Sequence, residues 1–490
     1  MYWNFLKLTG FFSGREGNRL LRSGTWGLER ESQRVTPTGD LALSDHPAAF
    51  GDKLENPNVT TDFSESQLEL ITPPFPSIEE TYDYLKRLQI EVEQEIGDEL
   101  LWPLSMPPRL PDEKEIPIAR FNNSPEGREK EIYRKGLALR YGKKMQMISG
   151  LHYNFSFDAG LLDTLYERFG QGKDRRTFVD EVYFGVARNY LRYRWLLVYL
   201  FGSSPSTDST YYPVMGQELK FVLQCCPECC NIIHQYEQYA TSLRVSRFGY
   251  SDTDQRKYKV SFDSLGAYIR DIRKLMATTS RKFKKLGIYR EDQQVQLNDY
   301  ILQKESEFYS TIRFKQVTAK GETQLEALEK RGVKYLEVRI LDLNPFEKVG
   351  ISLNQMYFLH VFLLFCLFKE SPFFSDIELD EMNSNHHLVA LSGRKPGLVL
   401  KHPSGQILMK EWAGRIFKEL QTTARLLDLG TGSNLYEACI DKEHEKVLNP
   451  ALLPSAQIQE EMCSNDESFI DFGIRTAVAH KQSELVHALC

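Results

Sequence analysis

No stretch of this sequence is long and apolar enough to cross a bilayer. The most apolar run, residues 356–368, is 13 residues long and contains His360. A membrane helix needs ~20, so the run reads as a buried helix. Residues 1–12 are broken by Asn4, Lys7 and Gly10 and lack the uninterrupted apolar core and small-residue cleavage site of a secretion signal. Excess basic charge is also missing: 61 Lys+Arg stand against 67 Asp+Glu, a net −6. Nucleic acid as main partner would require a basic stripe, and the local run Arg281-Lys282-Phe283-Lys284-Lys285 is expected to be a solvated helix face.

Familiar nucleotide and metal signatures are absent too. There is no Gly-x-x-x-x-Gly-Lys-Ser/Thr run. Gly430-Thr431-Gly432 lacks the third glycine of a dinucleotide fingerprint and reads as a helix C-cap, and His444-Glu445 lacks the second histidine of a zinc-protease motif. A nucleotide used here must therefore be held by metals and basic side chains on a sheet.

Of eight cysteines, four fall in Cys225-Cys226-Pro227-Glu228-Cys229-Cys230. With no secretion signal, a reducing cytoplasm is the expected setting. Cys226 and Cys229, with His234 nearby, offer half of a zinc site, but no second Cys-x-x-Cys answers them. A reduced surface loop is expected there, with redox sensing or metal binding as the alternatives.

The informative pattern is a set of short segments interleaving polar with apolar residues at period two. Gly27-Leu28-Glu29-Arg30-Glu31 puts Glu29 and Glu31 on one face if it is a strand. Thr60-Thr61-Asp62 running into Glu65 and Glu69, His152-Tyr153-Asn154, and Tyr335-Leu336-Glu337-Val338-Arg339 repeat the design. One such face is more often solvated than functional. Four of them in one sheet would gather carboxylates, an imidazole, an amide and a guanidinium, and crowded carboxylates call for hard cations such as Mg²⁺ or Mn²⁺, which bring phosphate oxygens with them.

Elsewhere, Ile78, Tyr82, Leu85, Leu88, Val92 and Ile96 at three- and four-residue spacing predict an amphipathic helix over residues 78–100, with a capping box from Ser77 and Glu80. Residues 126–147 read as helical and residues 181–201 as a long helix with Arg188, Arg192 and Arg194 along one basic edge. Residues 333–340 form the clearest later strand, and the last third is mostly helical. Residues 251–334 mix helical and strand signals without a clear assignment.

Taken in order, Gly27-Leu28-Glu29-Arg30-Glu31, Thr60-Thr61-Asp62-Phe63, Leu68-Glu69-Leu70-Ile71-Thr72-Pro73, Trp102-Pro103-Leu104-Ser105-Met106-Pro107, Ile148-Ser149-Gly150-Leu151-His152-Tyr153-Asn154-Phe155, Tyr239-Ala240-Thr241-Ser242-Leu243-Arg244, Tyr335-Leu336-Glu337-Val338-Arg339, Leu343-Asn344-Pro345-Phe346 and Gly393-Arg394-Lys395-Pro396-Gly397-Leu398 resemble the bacterial glutamate–cysteine ligase family. The resemblance covers about residues 24–400. It implies an α+β fold with a curved, mostly antiparallel, glutamine-synthetase-like sheet forming a funnel with helices around it, spanning residues 1–490 as one catalytic domain. At 490 residues the chain is expected to be the form without the second, glycine-adding ligase domain of longer relatives, and a monomer.

The implied reaction joins the γ-carboxylate of L-glutamate to the amine of L-cysteine through a γ-glutamyl phosphate made from ATP, the first step of glutathione biosynthesis. By resemblance, the ligands for Mg²⁺ or Mn²⁺ fall on Glu29, Glu31, Asp62, Glu69, His152 and Glu337, and Arg339 meets the transferred phosphoryl group beside Glu337. Glutamate is implied to meet Arg244, Asn154 and the backbone near Gly150, and cysteine to meet Tyr133, Arg134, Leu137 and Tyr250. Two other functions stay open at this point: a ligase that uses a different amine, and a non-catalytic member that only binds nucleotide or a partner.

Overall fold

In the computed structural model of the protein, residues 3–216, 238–249 and 258–487 are described. Tyr250 and the cysteine cluster at residues 225–230 lie outside these ranges.

The period-two segments are strands of one antiparallel sheet. Its members are β1 (Gly24–Val35), β2 (Val59–Thr61), β3 (Gln67–Ile71), β4 (Leu100–Leu101), β5 (Leu151–Phe157), β6 (Ile312–Lys315) and β7 (Tyr335–Leu341). The order across the sheet is β2-β3-β1-β5-β7-β6, with β4 pairing the far end of β1. The sheet does not close on itself. Register puts Glu31 opposite Glu69 and Glu29 opposite His152. It puts Asn154 opposite Glu337 and Glu337 opposite Arg313. Side chains alternate across a strand, so these polar groups share one face while Trp26, Leu28, Tyr153, Phe155, Leu336 and Val338 are buried on the other.

That apolar face rests on helices. The main ones are α1 (Ile78–Glu95), α3 (Arg175–Phe201) and α4 (Leu353–Phe368), while α2 (Pro125–Tyr141) flanks the polar face and α5 (Phe469–His487) packs near β4. The 13-residue apolar run lies wholly within α4, buried on all sides and against α3. Among the described residues no helix is long and apolar enough to cross a membrane.

Two helix expectations need correction. α1 stops at Glu95, before the short strand at Leu100, and only half of the capping box forms: Ser77 Oγ accepts from the Glu80 backbone N–H and donates to Glu79, and the Glu80 carboxylate does not accept from the Ser77 backbone N–H. The basic edge of α3 is not an exposed edge. Arg188 donates to Phe262 O and Ser371 Oγ, and Arg194 to Thr311 Oγ1 and Asn383 Oδ1, so both are buried with their charges spent on internal acceptors.

Candidate active site

The polar face of the sheet floors a cavity of about 320 Å³. Its centre is His152. The imidazole Nδ1 is 3.0 Å from Glu29 Oε2 and 3.8 Å from Glu337 Oε1, and Nε2 is 3.5 Å from Glu31 Oε1. Each carboxylate is braced from behind: Asn154 Nδ2 donates to Glu29 Oε1 at 2.9 Å and the Gly150 backbone N–H donates to Glu31 Oε2 at 2.7 Å. Glu69 and Asp62 line the same cavity.

Two overlapping groups emerge, Glu29–His152–Glu337 and Glu31–Glu69–His152, each with its donor atoms within 4.8 Å of one another. Buried Glu337 Oε2 and Asn154 Oδ1 have no hydrogen-bond donor. Buried acceptors are rarely left without partners, and carboxylate oxygens plus an imidazole suit Mg²⁺ or Mn²⁺. The residues present therefore fit a hard divalent cation.

The electrostatics are those of crowded like charges. Burial, then Glu29, Asp62 and Glu31 around it, push the Glu69 carboxyl well above the usual carboxylate range. Burial raises Glu31 as well, with His152 opposing. Burial would also raise Glu337, but Lys315, Arg339 and His152 outweigh it and hold that carboxyl low. A charge gradient thus crosses the sheet face, acidic on β1 and β3 and basic on β6.

Basic groups line the other side. Arg339 Nη1 donates to Glu337 Oε1 at 2.9 Å, and Lys315 Nζ is 3.7 Å from Glu337 Oε2. The Arg339–Glu337 pair is buried on the carboxylate side, not a surface ion pair. Arg244 donates to the Arg339 carbonyl at 3.1 Å and faces Asp342. A Cβ on Gly150 would lie 1.9 Å from Arg244 Nη2, so glycine is required there for the guanidinium to reach the cavity.

Several residues named from the sequence meet here, with differences. Glu29, Glu31, Asp62, Glu69, Tyr133, Arg134, Leu137, His152, Arg244, Glu337 and Arg339 all line the cavity. Asn154 and Gly150 serve it from behind, through Glu29, Glu31 and Arg244. Arg134 spends its guanidinium on the carbonyls of Asp62 and Thr61, bracing the Asp62 loop. Glu65 turns away from the shared face and accepts instead from Lys53 Nζ and the backbone N–H groups of His46 and Arg120. The sequence reading missed Tyr309, Arg313 and Lys315, which also line the cavity. Ile312-Arg313-Phe314-Lys315 alternates buried and half-buried residues, the same period-two signal, inside the stretch left unassigned.

The model of the glutamate–cysteine ligase family matches residues 10–389. The chain belongs to that family. A glutamate–cysteine ligase of Clostridium acetobutylicum is 52% identical over 481 residues, 98% of this chain and 100% of that one. One from Pseudomonas paraeruginosa is 41% identical over 470 residues, covering 96% and 88% of the two chains. Among solved structures, a family member from Francisella tularensis in complex with AMP aligns with TM-score 0.84 at 36% identity, over 94% of this chain and 89% of that one. A bifunctional glutathione synthetase from Pasteurella multocida aligns at TM-score 0.77 and 28% identity, over 97% of this chain and 54% of its own. The family's fold is thus the antiparallel sheet and helices described here.

Proposed function

We propose that this member of the family makes γ-glutamylcysteine from L-glutamate, L-cysteine and ATP on the polar face of the sheet, and that the cations required are held by Glu29, His152 and Glu337 and by Glu31, Glu69 and His152, with Asp62 beside them. The observation that carries this is the sharing of His152 by two three-donor groups, bounded by Arg339, Arg244 and Lys315. When bound, Mg²⁺ or Mn²⁺ supplies neutralisation of triphosphate charge. The remaining work falls to side chains.

Joining a carboxylate to an amine in water is uphill. Activation transfers the γ-phosphoryl group of ATP to a γ-carboxylate oxygen of glutamate, releasing ADP. The cysteine nitrogen then bonds to the acyl carbon, one proton is lost, and the C–O bond to phosphate breaks. Phosphoryl transfer demands charge stabilisation and alignment rather than covalent help. Arg339 is placed to grip the moving phosphoryl oxygens with a planar fork. Arg244, its guanidinium held in the space Gly150 leaves with Nη1 3.7 Å from Asp342 and making no hydrogen bond there, offers a fixed positive group to the α-carboxylate of glutamate. Tyr133 and Leu137 on α2 wall the far side where the cysteine side chain is received, and Tyr250 joins them by family resemblance. The free thiols of Cys366, Cys439 and Cys463 accord with a cytoplasmic enzyme, which we take to act as a single-domain monomer.

The test is product analysis. Purified protein with ATP, Mg²⁺, glutamate and cysteine should release ADP and phosphate, with a dipeptide whose fragmentation shows the γ linkage. Phosphate release without an amide, or an amide only with other amino acids, would refute the assignment.

A further inference from the structure

Beside α2 the cavity wall is continued by residues 304–309, a segment with no regular strand of its own. Ser306 and Tyr309 in it line the cavity, and Ser306 Oγ donates to Tyr133 Oη at 3.4 Å. Short polar loops of this kind hold a defined shape only where something outside fixes their backbone. Here the 3-10 turn Glu305–Glu307 is anchored on three sides: Glu305 accepts from the backbone N–H groups of Gln324 and Leu325 at 2.6 and 2.9 Å, and the other anchors come from α2 and from the sheet.

From the helix side, Glu307 forms a buried ion pair with Arg140 at 3.0 Å, with side chains 2% and 0% exposed. Tyr141 Oη and the Gln303 backbone N–H donate to the same carboxylate at 2.7 and 2.5 Å. Gln303 packs so close to α2 that a Cβ on Gly136 would lie 2.1 Å from its Oε1. These contacts tie the loop to α2 but leave the backbone carbonyls of Ser306 and Phe308, the residues on either side of Glu307, to be held by another group.

From the sheet side that holder is Arg313. It stands on β6 directly opposite Glu337, and its Nη2 donates to the carbonyls of Ser306 at 2.7 Å and Phe308 at 2.5 Å. A guanidinium is suited to gripping two acceptors at once, and its bonds are charge-assisted. One side chain therefore connects the strand carrying the metal-site edge with the loop that shapes the far wall.

We propose that Arg313 is a positioning residue for the amine substrate: by clamping the Ser306 and Phe308 carbonyls it fixes Ser306, Tyr133 and Tyr309 as the wall that cysteine meets. This rests on the functional reading above and adds to it a determinant of acceptor selectivity. Its charge beside Glu337 is a separate contribution, and substitution can divide the two. Both bonds leave one nitrogen, Nη2; lysine keeps the charge, but its shorter side chain does not bring its nitrogen to that position. Methionine loses both the charge and the bonds.

The experiment compares wild type, Arg313→Lys and Arg313→Met. Hydrogen exchange of the peptide spanning residues 303–310 reads the clamp directly, and KM for cysteine, glutamate and ATP reads its consequence. In Arg313→Lys we expect exchange of that peptide to rise about tenfold or more, KM for cysteine to rise about tenfold, and KM for glutamate and ATP to stay within about threefold, each tenfold being about 1.4 kcal/mol. Larger amino acids should gain relative to cysteine. Arg313→Met should show the same cysteine effect plus a weaker response to Mg²⁺. Unchanged exchange at 303–310 overturns the clamp. Faster exchange with KM unchanged, or with all three KM values raised alike, overturns the role in acceptor selection. A wild-type protein that forms no glutamyl amide refutes the functional reading itself, and that result is visible before any variant is compared.

Discussion

Glu29 and His152 face each other across adjacent antiparallel strands, with Glu29 Oε2 3.0 Å from His152 Nδ1. The other ring nitrogen of His152 is 3.5 Å from Glu31, so a single imidazole joins the two halves of a carboxylate cluster. Register makes this pairing, because a slip of one residue would send Glu29 and Glu31 into the core.

Glu29→Gln and Glu337→Gln should each lower kcat by at least ~10²-fold, the scale for loss of one preorganised electrostatic group. Side-chain volume barely changes, so both variants should fold normally by circular dichroism. Near wild-type turnover at saturating Mg²⁺ in either would contradict the ligand assignment.

Cation binding should also appear as stability. Burial and three neighbouring carboxylates destabilise the ionised form of Glu69, and a bound divalent cation relieves that. Thermal melts without ATP or substrates should therefore show a higher Tm with Mg²⁺ or Mn²⁺ than with EDTA. At a hundredfold excess over Kd the gain corresponds to about 2.7 kcal/mol. Glu69→Gln should lose most of it, whereas a Tm insensitive to either cation would count against a built metal site.

Much of this site was legible because β-strands write their faces into the sequence at period two. That Glu29/Glu31, His152/Asn154 and Glu337/Arg339 share faces needed only that rule, while their roles came from the family resemblance; α4 needed only its apolar run. What the rule could not give was which strands are neighbours: nothing local says that Glu337 lies beside Asn154 although 183 residues separate them by number. Glu65 shows the limit, since after β2 ends at Thr61 a carboxylate at the right spacing turns away from the shared face and is buried against Lys53, His46 and Arg120. Arg188 and Arg194 show another, because a helix arginine reads as solvated until its acceptors on distant loops are in place. Arg313 and Lys315 were readable by the same period-two rule, but in a strand of only four residues.

Acid should weaken the fold through histidine burial. His360 in α4 packs against Trp26, Phe155 and Tyr436, and burial pushes its pKa down to about 3 from an ordinary 6.5. Between those values the unfolded chain binds the extra proton, so stability is full above about pH 6.5 and falls as pH drops toward 3, by about 1.4 kcal/mol per unit for one such group. His46 and His480, both held near 4, act in the same direction. Denaturant melts from pH 8 to 4 should show this loss, and His360→Leu should make the slope shallower. An unchanged slope would mean that His360 is not buried neutral.

Acceptor discrimination should be modest for near-isosteres. Tyr133 and Leu137 present an apolar wall, and such pockets separate similar side chains by only ~1–3 kcal/mol per methylene. 2-Aminobutyrate should be accepted at a lower kcat/KM than cysteine, and charged or bulky amino acids refused. Equal rates for lysine or tryptophan would place the acceptor elsewhere.

The sheet face is expected to activate the γ-carboxylate of glutamate by phosphorylation before the amide forms. That step is tested most directly with glutamate labelled with ¹⁸O at both γ-carboxylate oxygens, incubated with ATP, Mg²⁺ and cysteine. Each released phosphate should carry one ¹⁸O and each dipeptide should retain the other. Unlabelled phosphate, or label appearing in AMP instead, would contradict it.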